Sequence, residues 1–563
     1  MKKYLITSAL PYINGIKHLG NLIGSLLPAD IYARYLRQRG EEVLCICGTD
    51  DHGAPAEIAA MEAGQPVAEY CQRMHDVQKD IYAKFNLSFD HFGKTSTASN
   101  KQLTQDIFNQ LDRNGYMIEK TIEQYYSVAA KRFLADRHIT GTCPKCNYEL
   151  ARGDQCDGCG ALLDPTELKN PRSTINPTDE LELRQTKHLF LDLPKLQGKV
   201  KEWTDTLPNP SKVVSGIIRK WLAEGLEQRC ITRDLDWGVP VPKPGYEDKV
   251  FYVWFDAPNG YISITMDWAQ KMSSPDAWKQ WWLEPEQVHY TQFMAKDNVP
   301  FHAVMWPAIL LGTEQPWKMV DYIKGFNWLN YCGGKFSTSQ KRGVFTDVAL
   351  ELFPADYWRY YLMANVPESS DADFSFTDFA NVINHDLADS LGNFTARVLT
   401  LVEKYFASKV PEYNVATLDQ DLVKKTTELC LQLNQAHEQL RYREVISTMR
   451  LLWALGNEYI TQQQPWSVAK HDLAKTGYIL SNCLHLLRIY AITAWPIIPT
   501  TAEKIYGLVC SDSNVSKTAI TDAVNFNCLP VGSSVSGKVT LFSKIEETTA
   551  NDLAARFDGG FIS

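Results

Sequence analysis

Residues 8–21 read Ser8-Ala-Leu-Pro-Tyr12-Ile-Asn14-Gly15-Ile-Lys-His18-Leu-Gly20-Asn21. The stretch follows the apolar run Tyr4-Leu-Ile-Thr7 and opens a helix-like segment from Leu22 to Arg39. Pro, Asn and Gly between the two mark a tight turn. The reading is strand, turn, helix, with a His and a Gly on the first helical turn. A helix N-terminus offers unpaired N–H groups and positive potential to a phosphate. Gly20 removes a side chain where an adenine ring could lie on backbone, and His18 can hydrogen-bond a phosphate oxygen. Pro28 interrupts the helical pattern and predicts a kink or a restart.

Outward from this stretch, residues 1 to about 115 alternate strand and helix signals. Glu42-Val-Leu-Cys-Ile-Cys47 is a second strand, parallel to the first, and Gly48-Thr49-Asp50-Asp51-His52-Gly53 ends it. Ligands of open α/β sheets sit outside the carboxyl ends of strands, so Asp50 and His18 are expected on one crevice. From about 116 to 230 the chain turns to cysteine, glycine and short amphipathic pieces. The α/β pattern resumes at Val250-Phe-Tyr-Val-Trp254 and runs through Tyr322, which predicts an insertion between two halves of one nucleotide-binding domain. Beyond about 380 everything is helical: Leu422, Leu429, Leu433, Ala436 and Leu440 keep a 3.6-residue period, as do Val445, Met449, Leu452 and Tyr459. Ile479 to Trp495 forms another helix stopped by Pro496, and Thr500-Thr-Ala-Glu503 reads as a capping box. The polar tail after about 545 is expected to be partly loose.

At 563 residues, with 45% hydrophobic and 22% charged residues, the chain has the composition of a globular protein of three or four domains. No run of 18 apolar residues exists, and Met1-Lys-Lys is followed at once by a core strand, so neither a signal peptide nor a membrane span is expected. Thirteen cysteines, an odd number, point to reduced thiols, a metal site and the cytosol rather than a disulfide framework. The net charge of −9 mildly opposes nucleic-acid binding, although a local basic track is compatible with it. Cys143-Pro-Lys-Cys146 and Cys156-Asp-Gly-Cys159, nine residues apart, can place four thiolates tetrahedrally around Zn²⁺. Four thiolates leave no open position, so the zinc is expected to be structural. The other nine cysteines read as core.

The phrase at 8–21 resembles the HIGH element of class I aminoacyl-tRNA synthetases, and its flanks resemble those of the methionyl-tRNA synthetases. Trp254-Phe-Asp-Ala257-Pro258-Asn-Gly-Tyr261 and Met294-Ala-Lys-Asp297-Asn-Val-Pro-Phe-His302 are similar to two further family phrases. The resemblance implies a Rossmann-like parallel-sheet catalytic domain (1–115 and 231–325) and a zinc-bearing connective peptide at 116–230 with one zinc. It implies a KMSKS-loop and stem-contact region at 326–380, an α-helical anticodon-binding domain at 381–545 and a tail at 546–563. Methionine would be held by Asp50 through its ammonium and by Ala9, Leu10, Tyr12, Trp254, Ala257, Pro258, Tyr261 and His302 around its thioether, since sulfur packs well against aromatic rings. Asp297 would take the ATP ribose, Gly20 the adenine, and Arg233 the substrate carboxylate or phosphate.

Two positions depart from the family's signatures. Asn21 stands where HIGH ends in His, and an amide can still donate to a phosphoryl oxygen. The KMSKS loop reads Gly334-Lys335-Phe-Ser-Thr338-Ser-Gln-Lys341-Arg342, so Thr338 supplies no charge to the triphosphate. Lys335 remains, and Lys341 or Arg342 is expected to replace the missing lysine. Asn393 and Arg397, one helical turn apart, with Pro465 and Trp466, match positions that read an unpaired anticodon.

The implied activity is methionine–tRNA ligation with ATP and Mg²⁺ on initiator and elongator tRNA(Met), by a monomer. His18, Asn21, Lys335 and Lys341 would serve catalysis. Two alternatives stand beside it: activation of leucine, isoleucine, valine or cysteine by the same class, and a tRNA-binding paralogue with impaired catalysis.

Overall fold

The computed structural model describes residues 2–557 except 135, 157, 162, 177, 209–210, 338–341, 511–513 and 538. Thr338 and Lys341 therefore lie outside the described residues. The central sheet has five strands, β1 (Lys3–Ser8), β2 (Glu42–Thr49), β3 (His91–Lys94), β4 (Val288–Ala295) and β5 (Tyr322–Phe326). Every pairing is parallel and the spatial order is β5-β4-β1-β2-β3. The interior strands are apolar on both faces because helices cover both sides, as with Leu5, Ile6, Leu44, Cys45, Ile46 and Cys47. Strand order reverses between β1 and β4, and the loops after β1, β2 and β4 open onto that switch point.

The helix after β1 passes through Leu19–Asn21, a π-helical turn Leu22–Leu26 and then Leu27–Gln38. Pro28 falls in the first turn of the α-helical stretch that follows the π turn, and the helix runs on through it. Proline has no N–H for the carbonyl four residues back; the π turn shifts the pairing, with Leu27 N–H donating to Leu22 C=O. The helix after β4 repeats the device. Phe301–Met305 is π-helical, Trp306 N–H donates to Phe301 C=O, and Pro307 follows inside Trp306–Gly312.

Between β3 and β4 the chain leaves the sheet. Met117–Ser127 and Leu181–Leu191 form a long antiparallel ladder, Met117 opposite Leu191 and Ser127 opposite Leu181. A small sheet of Ile139–Thr142, Ala151–Arg152 and Lys169–Ser173 carries the paired cysteines. Val250–Trp254 does not rejoin the parallel sheet. Val250–Phe251 pairs antiparallel with Thr232–Arg233, and Val253–Asp256 is helical. A short apolar run does not by itself distinguish strand from buried helix.

The C-terminal region is helical, with Asn393–Phe406, Gln420–Glu438, Tyr442–Gln463, Leu473–Ala494 and Pro499–Val509. Leu473–Ala494 is its buried centre, nearly every side chain from Ile479 onward being enclosed. The expected box at Thr500–Glu503 is absent because the helix already begins at Pro499. The buried Asp356 carboxylate from a distant helix accepts from Thr501 N–H at 2.6 Å instead. The described part of the tail is ordered: Glu547–Arg556 is a helix, Phe557 packs on Phe376, and its carbonyl accepts from Tyr331 O–H. Residues 558–563 lie outside the described residues.

One buried joint ties the sheet to the helices. Arg359, fully enclosed, reaches Asp30 Oδ2 at 2.7 Å and the carbonyls of Phe85, Pro496 and Ile497. Burial raises the Asp30 carboxyl, but Arg34, Arg359 and two bonds from Ser88 outweigh it and bring it to about 2. Five of the nine remaining cysteines are buried as expected, whereas Cys230, Cys510 and Cys528 are half-buried and Cys332 is exposed.

Candidate active site and tRNA face

A cavity of about 600 Å³ opens at the switch point. Its floor is the β1 loop (Ala9, Leu10, Tyr12), its helical wall His18, Gly20 and Asn21, and its far wall Trp254, Asp297 and Phe301. Lys335 and Phe336 enter from the loop after β5. The phrase at 8–21 thus meets two others more than 200 residues further along the chain, as the order of the sheet requires.

At the helix start, Asn21 Oδ1 accepts from His18 N–H at 3.3 Å. That leaves the amide NH₂ of Asn21 as the donor facing the cavity. His18 stacks on Phe336 with centroids 4.9 Å apart, and its Nδ1 is buried without a partner. Burial and neighbouring Lys17 push the imidazole down to about 3, so it is neutral. A Cβ on Gly20 would lie 3.0 Å from His18 Nδ1, so a side chain there would crowd the ring. Phe336 lies where a Cβ on Gly343, at φ +103°, would sit 2.1 Å from its ring.

Asp50 ends β2 and is held by its backbone, N–H to Pro11 C=O and C=O from Ile13 N–H. Its side chain is enclosed and Oδ1 has no partner. Burial, then Asp256 and Asp51, raises this carboxyl far above the usual range. Such an enclosed group of carboxylates is relieved by an added cation. His52 Nδ1 already serves Asp256 at 2.6 Å.

The aromatic phrases converge. Tyr12 meets Trp254 edge-on at 6.3 Å, Trp254 stacks on Phe301 at 3.6 Å, and His302 lies edge-on to Trp254 at 6.2 Å. His302 Nδ1 faces the Asn298 carbonyl at 2.9 Å, so it carries the proton, and Nε2 accepts from Tyr261 O–H at 2.8 Å. Burial brings the ring to about 4, consistent with that neutral tautomer. Ala9, Leu10, Tyr12 and Trp254 line the cavity, while Asp50, Ala257, Pro258, Tyr261 and His302 stand behind that wall. Arg233 is elsewhere: it grips Asp136 through Nε at 2.8 and 2.9 Å, covers the Tyr252 ring at 4.0 Å, and lines a second cavity.

Sequence reading missed several lining residues. Lys17 is buried, donates to Asn14 Oδ1 at 2.7 Å, and is brought down to about 7 by burial. Its place beside His18 was the available signal. Phe301 and Trp328 line the cavity too, as do Tyr148, Gln155 and Gly158 of the cysteine-bearing sheet. Nothing local in the sequence announces that last approach.

The sulfurs of Cys143, Cys146, Cys156 and Cys159 lie within 4.8 Å of one another, Cys146 and Cys156 at 3.6 Å. A tetrahedral zinc with ~2.3 Å bonds needs sulfur–sulfur edges of about 3.8 Å, so the donor set fits a metal such as zinc. Arg342 also lines the cavity, and its guanidinium donates to Tyr331 C=O and Cys332 C=O.

On the helical region, Asn393 opens Asn393–Phe406 directly after a π-helical segment, Ile383–Gly392, and donates to Asp389 at 3.3 Å. The Arg397 guanidinium lies 4.5 Å over the Trp466 ring. Gln464, in the left-handed region at φ 45°, turns the chain so that Pro465 is buried and Trp466 stays half-exposed.

Residues 4–399 match the family model of tRNA synthetases class I (M), and residues 410–561 that of the anticodon binding domain of methionyl tRNA ligase. The chain is 51% identical to Methionine--tRNA ligase 1 of Acaryochloris marina, over 99% of this chain and 100% of that protein. It is 48% identical to the Methionine--tRNA ligase of Streptomyces avermitilis with the same coverage. Among solved structures, Mycobacterium tuberculosis methionyl-tRNA synthetase bound by methionyl-adenylate superposes with a TM-score of 0.76 over 96% of this chain and all of that one, at 23% identity, a likeness of fold. The chain belongs to the methionyl-tRNA synthetase family of the class I tRNA synthetases.

Proposed function

We propose that the chain is a methionine–tRNA ligase, activating L-methionine with ATP and passing it to tRNA(Met), initiator and elongator alike. The observation that carries this is Asp50: an enclosed carboxylate with an unpartnered oxygen, its backbone bridged to Tyr12, an aromatic residue of the cavity lining. The ammonium of methionine neutralises Asp50, and the thioether packs among Tyr12, Trp254, Tyr261 and His302, with Ala9, Leu10, Ala257 and Pro258 completing the wall. Neutral His302 is a wall and not a proton carrier, since both ring nitrogens are engaged.

The methionine carboxylate then attacks the α-phosphorus, an oxygen–phosphorus bond forms, and pyrophosphate leaves. His18 and Asn21 donate to the charge that develops on the α-phosphoryl oxygens. Gly20 leaves room for adenine, Asp297 binds the ribose hydroxyls, and Lys335 holds pyrophosphate. Lys341 is the proposed substitute for the charge missing at Thr338, because Arg342 is occupied with backbone carbonyls. Arg233 would serve substrate only by exchanging Asp136 for it. In the second step the terminal ribose hydroxyl of tRNA attacks the methionyl carbonyl and AMP leaves.

Mg²⁺ bound with ATP would neutralise phosphate charge. Zinc on the four cysteines would hold the small sheet against the cavity without joining the chemistry. Asn393, Arg397, Pro465 and Trp466 would read the anticodon. Residues 1–115 with 231–325 would carry the chemistry, 116–230 the zinc, 326–380 the loop and 381–545 the anticodon. The tail 546–563 would brace the loop through its helix. We place the enzyme in the cytoplasm as a monomer; no described helix is long and apolar enough to cross a membrane. The test is aminoacylation: tRNA(Met) should be charged with methionine and not leucine, and Asp50→Asn should lower charging by roughly 10²–10³-fold.

A further inference from the structure

Trp328 sits between β5 and the strand Leu329–Tyr331 that leads into the loop carrying Lys335. It is half-buried, lines the cavity, and joins none of the hydrophobic clusters formed by the described residues. Its backbone is clamped at both ends: its N–H donates to Asp371 Oδ1 at 2.9 Å and its carbonyl accepts from Ala372 N–H at 3.0 Å. The indole N–H lies 3.4 Å from Asp297 Oδ1. Two ammonium groups lie over the ring, Lys335 at 3.9 Å and Lys296 at 4.0 Å from its centroid. Lys296 is also anchored to Asp371 at 2.7 Å.

We propose that Trp328 is a positioning residue for the nucleotide, holding the loop ammonium of Lys335 and the Asp297 carboxylate as one unit. This rests on the roles given above to Asp297 and Lys335. An aromatic face attracts an ammonium through its quadrupole without neutralising it. A carboxylate in the same place would compete with the triphosphate for Lys335; an indole does not. The ring's share of the hold is weak enough not to compete with phosphate for the lysine. That matters here because Thr338 brings no second charge to the loop. The indole N–H meanwhile occupies Asp297 Oδ1, turning Oδ2 toward a ribose diol. Desolvation in the mouth of the crevice raises the Asp297 carboxyl, and Trp328 with Lys335 opposes it, favouring the ionised form that a diol needs.

The experiment is methionine-dependent ATP–pyrophosphate exchange on the full zinc-loaded chain, comparing Trp328→Leu, Trp328→Phe, Lys335→Ala and Trp328→Leu/Lys335→Ala. Phe keeps the ring face and loses the N–H; Leu loses both. Trp328→Leu should lower kcat about tenfold and raise KM for ATP, with KM for methionine unchanged. Trp328→Phe should recover kcat to within about threefold of wild type while keeping the raised KM for ATP. The double variant should be no slower than Lys335→Ala, since the ring acts through that lysine. Three results would overturn the proposal while wild type remains active: no effect in Trp328→Leu, a Phe variant with kcat as low as Leu, or KM for methionine rising in step as in general disruption. A wild type that exchanges with no amino acid overturns the functional reading itself, and this inference with it.

Discussion

At the crevice, the proposed recognition of methionine is built from enclosed charge. Asp50 is buried with one oxygen unpartnered, His18 is kept neutral by burial, and His302 is locked in one tautomer between Tyr261 and a carbonyl. On the helical face the proposed anticodon readers stay at the surface: Asn393 is exposed, and Arg397 and Trp466 are half-exposed and stack on each other. The difference follows from the partners. A small zwitterion is discriminated by what is already desolvated, whereas an unpaired base can be stacked and hydrogen-bonded at an open surface. Mutations at the crevice should therefore act on chemistry, and mutations on the helices on tRNA alone.

The largest effect is expected where the two regions are joined. Arg359→Met leaves the Asp30 carboxylate enclosed with Arg34 as its remaining cation, and should cost about 3–5 kcal/mol of stability in urea unfolding. An unchanged midpoint would mean that the regions are not held through this joint. Next comes Asp50→Asn, which should lower kcat/KM for methionine in pyrophosphate exchange by roughly 10²–10³-fold. tRNA binding measured by filter retention should stay as in wild type. Trp466→Ala should do the reverse: exchange is preserved while tRNA(Met) charging falls by roughly 5–150-fold, the loss of one base stack of about 1–3 kcal/mol.

The smallest effect concerns acid. His437 stacks on Tyr35 at 4.6 Å, has no hydrogen-bond partner, and is brought by burial to about 3. A histidine whose folded pKa is below its unfolded ~6.5 contributes stability that is complete above that value and is lost as pH falls toward the folded pKa. His302 and His485, each near 4, have the same sign. The melting temperature should therefore drop between pH 6.5 and about 4, and His437→Leu should flatten that slope with little change at pH 7. An unaltered slope would remove His437 from the acid response.

What was legible in the sequence was local. The phrase at 8–21, the paired cysteines and the aromatic phrases each place their residue types within a turn or two of backbone, and the structure assembles them as the strand order requires. What was not legible depends on distant partners. Asp356 caps a helix 145 positions away, and Arg359 reaches Asp30 across 329. Phe557 meets Tyr331 across 226, which is why the described part of a polar tail that reads as partly loose is a docked helix. Val250–Trp254 misled because its apolar run fits strand and buried helix alike. At Pro28 the sequence could not show the π turn just before it, which re-pairs the backbone around the missing N–H. Trp328 escaped notice because an isolated tryptophan reads as packing until two ammonium groups are seen over its ring.

The most direct test of the central claim is ATP–pyrophosphate exchange by the purified wild-type chain with methionine, leucine and homocysteine in parallel. The account predicts robust exchange with methionine, none with leucine, and loss of the methionine signal in Asp50→Asn. Absence of exchange with every amino acid, in protein that holds its zinc and binds tRNA(Met), would contradict it and leave a tRNA-binding paralogue in its place.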